Sequence, residues 1–261
     1  MYRCPHCHES LSEKDKFFVC PNGHLFDRAK QGYVNLLCTN NSKNHGDDRE
    51  MVEARRDFLD SGAYLPLAQA IRKEAEKYGG VILDAGCGEG YYTSILSGIP
   101  GSQIYGTDIS KTAVIHACKR TNRVKWSVSS VYDLPFADGV FDAVVSIFSP
   151  LAHKEYRRVL KDKGKLILAV PLEEHLWELK SLVYDKPYLN KPSTDVPEGF
   201  RETARTELRY EIKLTSNSQI TALFSMTPYR YNTSPQNMDR LKEINFLTAK
   251  AQFAVITLEK I

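Results

Sequence analysis

The strongest constraint on the fold of this chain is a glycine-rich segment at residues 81–93. It begins with the apolar run Val-Ile-Leu, continues through an acidic residue and three glycines at alternate positions, and then enters a helical stretch. Glycines at positions 86, 88 and 90 let the backbone pass close to a ligand that a Cβ atom would obstruct. We therefore predict a strand, a ligand-binding turn and a helix in direct succession.

A second strand, from Gln103 to Asp108, supplies the next part of the same site. It ends in an acidic residue, and a carboxylate at such a strand tip can accept hydrogen bonds from both ribose hydroxyls of an adenosine. The dinucleotide fingerprint would require a small residue where this chain has Tyr91. The pattern acidic-x-Gly-x-Gly-x-Gly is instead typical of S-adenosylmethionine binding, with the turn at the methionine portion. The residues expected at this site are Asp84, Gly86, Gly88, Gly90 and Asp108.

From Val81 onwards, short apolar runs alternate with helical stretches, which indicates βαβ units and a parallel sheet. Strands are predicted near 81–85, 103–108, 124–128, 141–147 and 165–170. Two later β-like runs, near 205–214 and 251–259, flank a short helix around 217–225. We expect an α/β domain with a seven-stranded, mostly parallel sheet whose last two strands form a hairpin.

The stretch after the third of these strands resembles class I S-adenosylmethionine-dependent methyltransferases. Residues 133–136 read Asp-Leu-Pro-Phe and are followed by Phe141-Asp142. In those enzymes an acidic or polar residue four positions before the leucine meets the adenine edge. That position is Ser130 here, a hydroxyl in place of the usual carboxylate. The resemblance implies a Rossmann-like fold with S-adenosylmethionine as cofactor.

A second constellation lies near the N-terminus, where Cys4, Cys7, Cys20 and His24 have the spacing C-x2-C-x12-C-x3-H. Each tight turn places two ligand atoms on one side, and two such turns close a tetrahedral Cys3His site around one zinc ion. A module this small has too little apolar surface to fold alone, so the metal would contribute about 10–16 kcal/mol of folding free energy. Because the protein fills all four positions, we predict a structural zinc-ribbon-like module.

Other cysteines and histidines near this module leave alternatives open. His6 and His8 are competing ligand candidates, although their position inside or beside the first turn is poorly suited to closing the site. The four residues of the motif could also be unpaired core side chains. Six cysteines in a cytosolic chain favour metal binding or free thiols over disulfides, and Cys38 is predicted to be a buried thiol.

The order of these motifs resembles the bacterial 23S rRNA (guanine-N1)-methyltransferases. The resemblance rests on the zinc turns, residues 26–37 (Phe-Asp-x-Ala-Lys-x-Gly-Tyr-Val-Asn-Leu-Leu), Arg55-Arg56-x-Phe58-Leu59 and the glycine-rich turn, and it continues through 175–180 and 226–228. It implies zinc at Cys4, Cys7, Cys20 and His24, and S-adenosylmethionine contacts at Tyr64, Gly88, Glu89 and His175. It further implies methylation of a guanine in a hairpin loop of 23S rRNA, and a homodimer that cradles the RNA.

The chain is predicted to have three parts. Residues 1–38 form the zinc-binding module, 39–78 a helical linker that caps the cofactor, and 79–261 the methyltransferase domain, in which the Pro-rich segment 171–200 is a substrate-facing insertion. The second part opens with a polar linker, Asn40 to Asp48, and continues as two helices, over 51–59 and from about Leu65 to Lys77, separated at Gly62. No apolar run approaches the roughly 18–20 residues that span a bilayer, and no signal peptide is apparent, so we expect a cytoplasmic protein without a membrane partner.

Charge permits an RNA partner without arguing for one, because the formal net charge is only +3. Basic residues cluster at 153–165 and again at Lys119, Arg120, Arg123 and Lys125, and such groups bind phosphates when they are free. A target base inside a loop must be extruded and stacked. The aromatic candidates for that stacking are Tyr184, Tyr188 and Phe200.

Methylation at guanine N1 requires that the N1 proton be removed or that the anion developing on O6 be stabilised. Glu173, Glu174 and His175 lie just beyond the fifth strand and are the candidates for handling this proton, with none assigned. The fourth strand ends in Phe148-Ser149-Pro150, where enzymes that methylate exocyclic amines carry an Asn/Asp-Pro-Pro-aromatic motif. Its absence argues against methylation of an exocyclic amine.

Two other functions remain open at this point. A small-molecule methyltransferase of the quinone- or sterol-modifying type would share the cofactor domain, but a small substrate gives no reason for a zinc module. A non-catalytic zinc-ribbon RNA-binding protein with a degenerate methyltransferase fold would not need the intact acidic and glycine residues of the cofactor motif. Binding of S-adenosylmethionine, and transfer of its methyl group to RNA or to a quinol, distinguish the three.

Overall fold

The structure, a computed structural model, describes residues 1–38, 48–192 and 195–261. All but the last residue of the polar linker predicted at Asn40–Asp48 lies outside these ranges. Helices follow in chain order as α1 Arg49–Asp60, α2 Leu65–Glu76, α3 Tyr91–Leu96, α4 Lys111–Arg120, α5 His153–Val159, α6 Trp177–Val183, α7 Asn217–Ser225 and α8 Pro235–Glu243, with a 3-10 helix at Pro228–Asn232. Strands are β1 Ser12–Glu13, β2 Phe17–Val19, β3 Leu25–Asp27, β4 Val34–Asn35, β5 Val81–Ala85, β6 Gln103–Asp108, β7 Val124–Val128, β8 Phe141–Ile147, β9 Leu160–Pro171, β10 Phe200–Leu214 and β11 Leu247–Lys260.

The main sheet has eight strands in the order β10-β11-β9-β8-β5-β6-β7-β4. Strands β4 to β9 pair in parallel, and the long β10–β11 hairpin joins β9 in antiparallel fashion. The predicted Rossmann-like sheet with a terminal hairpin is therefore confirmed, but the predicted count of seven strands is wrong. The eighth strand is Val34–Asn35, which pairs with Ser127 and Val128 of β7. Two residues carry no periodicity, so only the pairing partner reveals this strand.

Buried side chains alternate along the strands and form a separate core on each face of the sheet. Ile82, Ile104 and Val145 belong to one core, and their neighbours Leu83, Tyr105 and Val144 belong to the other. Helices α1–α4 and α6–α8 contribute to the first core. The second core receives side chains from helix α5 and from the N-terminal module.

The N-terminal module completes the layer on the second face, because a parallel sheet must be covered on both faces. Its three short strands form their own antiparallel sheet, β1-β2-β3. Tyr2 stacks on Phe136 at 5.1 Å between ring centroids and meets the edges of Tyr105 and Phe18 at 5.8 and 5.4 Å. The module is thus packed against the methyltransferase domain through an aromatic cluster.

The predicted insertion at 171–200 contains helix α6, and a buried lysine in this helix organises the residues after it. Lys180 Nζ donates to the Tyr188 carbonyl at 3.1 Å and to Asn190 Oδ1 at 2.6 Å. The Asn190 amide donates in turn to the carbonyls of Leu172 and His175. Burial lowers the pKa of Lys180. This network ties Tyr188 and Asn190 back to helix α6 and to the residues that precede it.

Within residues 1–38, 48–192 and 195–261, helices of the length and apolarity needed to traverse a bilayer are absent.

Candidate functional site

A cavity of about 670 Å³ opens at the carboxyl ends of the parallel strands, where open α/β sheets bind ligands. Its size lies within the range of small-molecule and cofactor sites. The structure brings to this cavity most of the residues predicted to bind the cofactor, namely Tyr64, Asp84, Gly86, Gly88, Glu89, Asp108, Ser130 and His175.

The glycine-rich turn follows β5, and at two of its glycines there is no room for a side chain. Gly86 has φ +81°, and a Cβ there would overlap Ser149 Oγ and lie 2.6 Å from Ser149 Cβ. Gly90 serves a different purpose: with φ +84°, it packs where a Cβ would lie 2.8 Å from Ala117 Cβ on helix α4. The turn is therefore shaped partly for ligand access and partly for close helix packing.

Asp84, near the end of β5, is a buried carboxylate with one of its two oxygens hydrogen-bonded within the protein. Thr93 donates to its Oδ2 at 2.6 Å, while Oδ1 is buried and has no hydrogen-bond partner among the described residues. Burial raises the pKa of Asp84 to about 7, against the opposing effect of the Thr93 hydrogen bond, and the negative charge of Asp108 raises it further. A cationic ligand group would satisfy this oxygen, and the ammonium of S-adenosylmethionine is such a group.

Asp108 is held in place at the tip of β6. The backbone N–H of Gly88 donates to its Oδ2 at 2.9 Å, and the backbone N–H of Ser110 donates to its Oδ1 at 2.8 Å. These two contacts fix the orientation of the carboxylate at the strand tip. The arrangement fits a ribose diol at this strand tip.

Tyr64 and His175 form a buried pair on the opposite wall, although 111 residues separate them in the chain. The Gln252 backbone N–H donates to His175 Nδ1 at 3.1 Å, so the neutral ring carries its proton on Nε2 and donates to Tyr64 Oη at 3.2 Å. Burial lowers the pKa of His175 to about 3, and the Lys180 charge adds to this effect. The imidazole is therefore a neutral support that leaves the Tyr64 hydroxyl proton available to a ligand.

Glu89 is buried beside the turn and forms an ion pair with Arg120, which also binds Asp60 at 2.9 Å. The Oε1 atom of Glu89 is buried without a hydrogen-bond partner among the described residues, and burial raises the pKa of Glu89. Arg120 belongs to the basic cluster predicted from the sequence. Its guanidinium supports the cofactor turn instead of facing a phosphate.

Arg55 is a site residue that sequence reasoning did not assign. It projects from helix α1 into the cavity and is the one lysine or arginine among the described residues lining it. A guanidinium nitrogen lies 3.8 Å from where a Cβ on Gly88 would stand. The Arg55-Arg56-x-Phe58-Leu59 motif contained the signal, but its place above the turn depends on how helix α1 packs.

The candidates for proton handling separate in the structure. His175 lines the cavity, whereas Glu173 and Glu174 are exposed outside it. Glu174 forms an ion pair with Lys250 at 3.0 Å, and this pair lowers its pKa. Neither glutamate is placed to reach a group held in the cavity.

The four predicted zinc ligands converge in the N-terminal module. Their ligand atoms all lie within 4.8 Å of one another. His24 Nδ1 is 3.4 Å from the Sγ atoms of Cys4 and Cys20, and the Sγ atoms of Cys7 and Cys20 are 3.6 Å apart. Zn–S bonds of about 2.3 Å in a tetrahedron give S···S edges of about 3.8 Å, so the cluster has the dimensions of a zinc site. A hydrogen bond from the Glu9 backbone N–H lowers the pKa of Cys7 to about 6, which favours the thiolate ligand.

The competing ligand candidates lie outside this tetrahedron. His6 is exposed and stacks on Phe26 at 5.7 Å, and His8 is exposed with φ +61°. The prediction that Cys38 is buried is wrong: its thiol is exposed and lies 3.6 Å from His6 Nδ1. The physical reason is that Cys38 follows the last backbone hydrogen bond of this edge, from Leu36 N–H to the Val128 carbonyl.

The residues predicted to contact RNA have mixed positions. Phe200 is buried, so it cannot stack on a base. Tyr184 and Tyr188 stack on each other at 5.8 Å, with Tyr188 exposed. In the basic run 153–165, Arg158 binds Asp138 and Glu155, Lys161 binds Asp142, and Lys165 binds Glu259. Three of the six lysines and arginines in this run therefore form these ion pairs within the protein.

Comparison with known proteins follows the same division of the chain. A family described as RlmA, N-terminal, matches residues 2–44, and a family described as Methyltransferase domain matches residues 83–168. A Bacillus subtilis protein with the provisional name 23S rRNA (guanine-N(1)-)-methyltransferase YxjB is 34% identical, over 94% of this chain and 92% of its own length. The 23S rRNA (guanine(748)-N(1))-methyltransferase of Streptomyces fradiae is 37% identical, over 68% of this chain and 65% of its own.

Among solved structures, the YcgJ protein of Bacillus subtilis superposes with a TM-score of 0.50 and 18% identity. It covers 74% of this chain and 97% of its own. This likeness concerns the fold alone. The relative that covers 94% of this chain is instead aligned over both the N-terminal module and the methyltransferase domain.

Proposed function

The chain belongs to the family of 23S rRNA (guanine-N1)-methyltransferases, and from this premise we propose that it transfers a methyl group from S-adenosylmethionine to N1 of a guanine in 23S rRNA. The observation that carries the proposal is a relative of that provisional name whose alignment covers 94% of this chain and therefore extends into both the zinc module and the methyltransferase domain. A small-molecule methyltransferase is not favoured, because it leaves the zinc module unexplained. A non-catalytic protein is not favoured, because Asp84 and Asp108 both line the cavity and the buried Asp84 Oδ1 has no hydrogen-bond partner among the described residues.

We propose that the cavity residues hold the cofactor by its charges and its ribose. Asp84 Oδ1 meets the ammonium, Arg55 meets the carboxylate, and Asp108 accepts the ribose hydroxyls. Ser130, after β7, lies beside the adenine. When bound, S-adenosylmethionine supplies a methyl group on a positively charged sulfur. The buried Asp84 carboxylate stabilises positive charge here, because the surrounding apolar walls weaken screening by water.

The chain's own contribution to the reaction is chiefly positioning, which can supply much of the acceleration when the methyl donor is already reactive. We propose that His175 fixes the Tyr64 hydroxyl and does not take the N1 proton, because Nδ1 already accepts the Gln252 N–H and Nε2 is protonated. Tyr64 then directs its hydroxyl proton towards the ligand. Asn190, which accepts a hydrogen bond from Lys180, lines the cavity with His175.

We propose zinc as a structural ion held by Cys4, Cys7, Cys20 and His24. Because the N-terminal module packs on the second face of the sheet, the ion would stabilise the methyltransferase domain as well as the module itself. We also propose a hairpin loop as the RNA target and a homodimer as the active assembly. Light scattering on the purified protein, and footprinting on the RNA, test these two proposals separately.

The function is tested by methyl transfer from labelled S-adenosylmethionine to unmodified 23S rRNA, with the modified base located as a primer-extension stop. Asp108→Asn should abolish cofactor binding and methylation together. Asp138→Asn makes the same chemical change at an exposed carboxylate paired with Arg158 and should retain both. A wild-type enzyme that binds the cofactor and leaves RNA unmodified, but methylates a quinol, would overturn the proposal.

A further inference from the structure

Phe148 has an unusual backbone conformation at the end of strand β8. Its φ is +52°, a left-handed conformation that bulky residues rarely adopt and that costs of order 1–3 kcal/mol. Leu176 also has positive φ and lines the same cavity, but it is fully buried, so packing accounts for it. Phe148 is 49% exposed, so burial of its ring does not explain the strain.

Phe148 lies between two neighbouring cavities. It lines the cofactor cavity, and it also lines a second cavity of about 260 Å³. The two share Phe148, Ser149 and Pro171, at the carboxyl ends of β8 and β9. The second cavity has mainly aliphatic walls, including Leu151 and Leu168, and its volume lies just below the usual range for small-molecule sites. A single planar base suits such a space better than a whole cofactor.

The order of the strands shows which end of the proposed cofactor lies next to Phe148. The cofactor runs from Asp84 on β5, through Asp108 on β6, to Ser130 after β7, as proposed above. Strand β8 adjoins β5 on the side away from β6. Phe148 therefore lies beyond the methionine end of the cofactor, beside Gly86, and away from the adenine. Tyr132, also exposed and lining the cofactor cavity, follows β7 and lies at the adenine end.

We propose that Phe148 is the platform on which the extruded guanine stacks, and that the second cavity receives this base beside the cofactor. The inference rests on the proposed function. The Phe148 ring is packed against Phe253 at 5.7 Å and Tyr64 at 6.5 Å between ring centroids, while half of the residue remains exposed to a ligand. Aromatic rings bind unstacked bases through their exposed faces without reading their sequence. The strained backbone aims this ring at the junction of the two cavities.

Phe148→Leu tests the platform, since it keeps the same backbone strain and an apolar side chain while it removes the aromatic face. We expect kcat/KM for 23S rRNA to fall roughly 5- to 150-fold, the range that corresponds to one lost base stack. The dissociation constant for S-adenosylmethionine should change less than twofold. Phe148→Trp should restore most of the activity towards RNA. Leu151→Trp, at a partly exposed position lining only the second cavity, should raise the KM for RNA by filling that space.

Two aromatic substitutions serve as comparisons. Phe246→Leu removes a ring that is 61% exposed and lines neither cavity. It should change neither kcat/KM for RNA nor the dissociation constant for S-adenosylmethionine. Tyr132→Leu should show the opposite pattern to Phe148→Leu, with weaker cofactor binding and little change in the KM for RNA. Thermal unfolding of every variant separates loss of fold from loss of stacking.

Unchanged RNA kinetics in folded Phe148→Leu, or a loss confined to cofactor affinity, would overturn the inference. So would Phe148→Trp being as impaired as Phe148→Leu. A wild-type protein that methylates no guanine N1 would instead overturn the proposed function, and the inference with it. Cofactor binding measured in parallel distinguishes that case from an inactive preparation.

Discussion

Replacing His175 with Asn should make the folded protein less sensitive to acid. The imidazole is buried, and its Nδ1 accepts a hydrogen bond from the Gln252 backbone N–H. Protonation of Nδ1 would break this hydrogen bond and bring two N–H donors together. Burial, with the Lys180 charge as the smaller cause, lowers the pKa of His175 from 6.5 to about 3. The side-chain oxygen of asparagine can take the place of Nδ1 as acceptor, and it does not titrate in this range.

The magnitude follows from the difference between the folded and unfolded pKa values. Between pH 3 and pH 6.5 the unfolded chain binds more protons at this histidine than the folded one does, so stability falls as the pH falls. The contribution is complete above the unfolded pKa of 6.5 and is lost progressively towards 3. Between pH 7 and pH 5 the loss is about 2 kcal/mol. A folded pKa one unit higher hardly alters this figure, because the folded imidazole would still be neutral at pH 5.

Urea unfolding of the wild type and of His175→Asn, at pH 7 and at pH 5 without cofactor, measures the effect. Asp84 acts with the opposite sign, since burial raises its pKa to about 7 and its stabilising contribution is lost as the pH rises through that value. Asp84 is present in both proteins, so its contribution cancels in the comparison. The wild type should lose about 2 kcal/mol more than the variant between the two pH values.

Equal losses in the two proteins would refute the buried, neutral imidazole. Tyr64→Phe is the control, because it removes the hydrogen-bond partner of Nε2 and leaves the titrating ring in place. That variant should keep the acid sensitivity of the wild type. A Tyr64→Phe protein that behaves like His175→Asn would show that the hydroxyl, and not the protonation of the ring, controls the pH dependence.

Three further predictions concern the turn, the charge above it and the metal. Gly86→Ala should lower the free energy of unfolding by about 2–5 kcal/mol, because alanine at this left-handed φ is strained and its Cβ overlaps Ser149. In a Ser149→Gly background the same substitution should cost only about 1–2 kcal/mol in urea unfolding, since the overlap is gone. Equal costs in the two backgrounds would contradict the overlap. Arg55→Ala should weaken S-adenosylmethionine binding roughly ten- to a hundredfold by calorimetry, while Arg56→Ala, exposed and paired with Asp57, should not; equal affinities would remove Arg55 from the site. Cys20→Ser should abolish the bound zinc measured by metal analysis and lower the melting temperature, and one zinc per chain retained in that variant would exclude the site.

Much of the candidate site could be predicted because its chemistry is local in the chain. The C-x2-C and C-x3-H turns carry the predicted zinc ligands, and the segment 84–90 carries an acidic residue with glycines at fixed offsets. Strand tips at Asp84 and Asp108 are separated by one helix, and parallel pairing brings such tips to one edge. In each case a short window contains both the residue types and the geometry that joins them.

Tertiary structure decided the features that depend on two distant segments meeting. Strand β4 is recognisable only through its pairing with β7, and Tyr64 acquires its role only when His175 lies against it. Arg55 and Phe148 line the cavity because of how helix α1 and strand β8 pack, and the motif around Arg55 does not specify that position by itself. The physical reason is that backbone propensity and ligand spacing act over a few residues, whereas burial, pKa and orientation depend on everything that packs around a side chain.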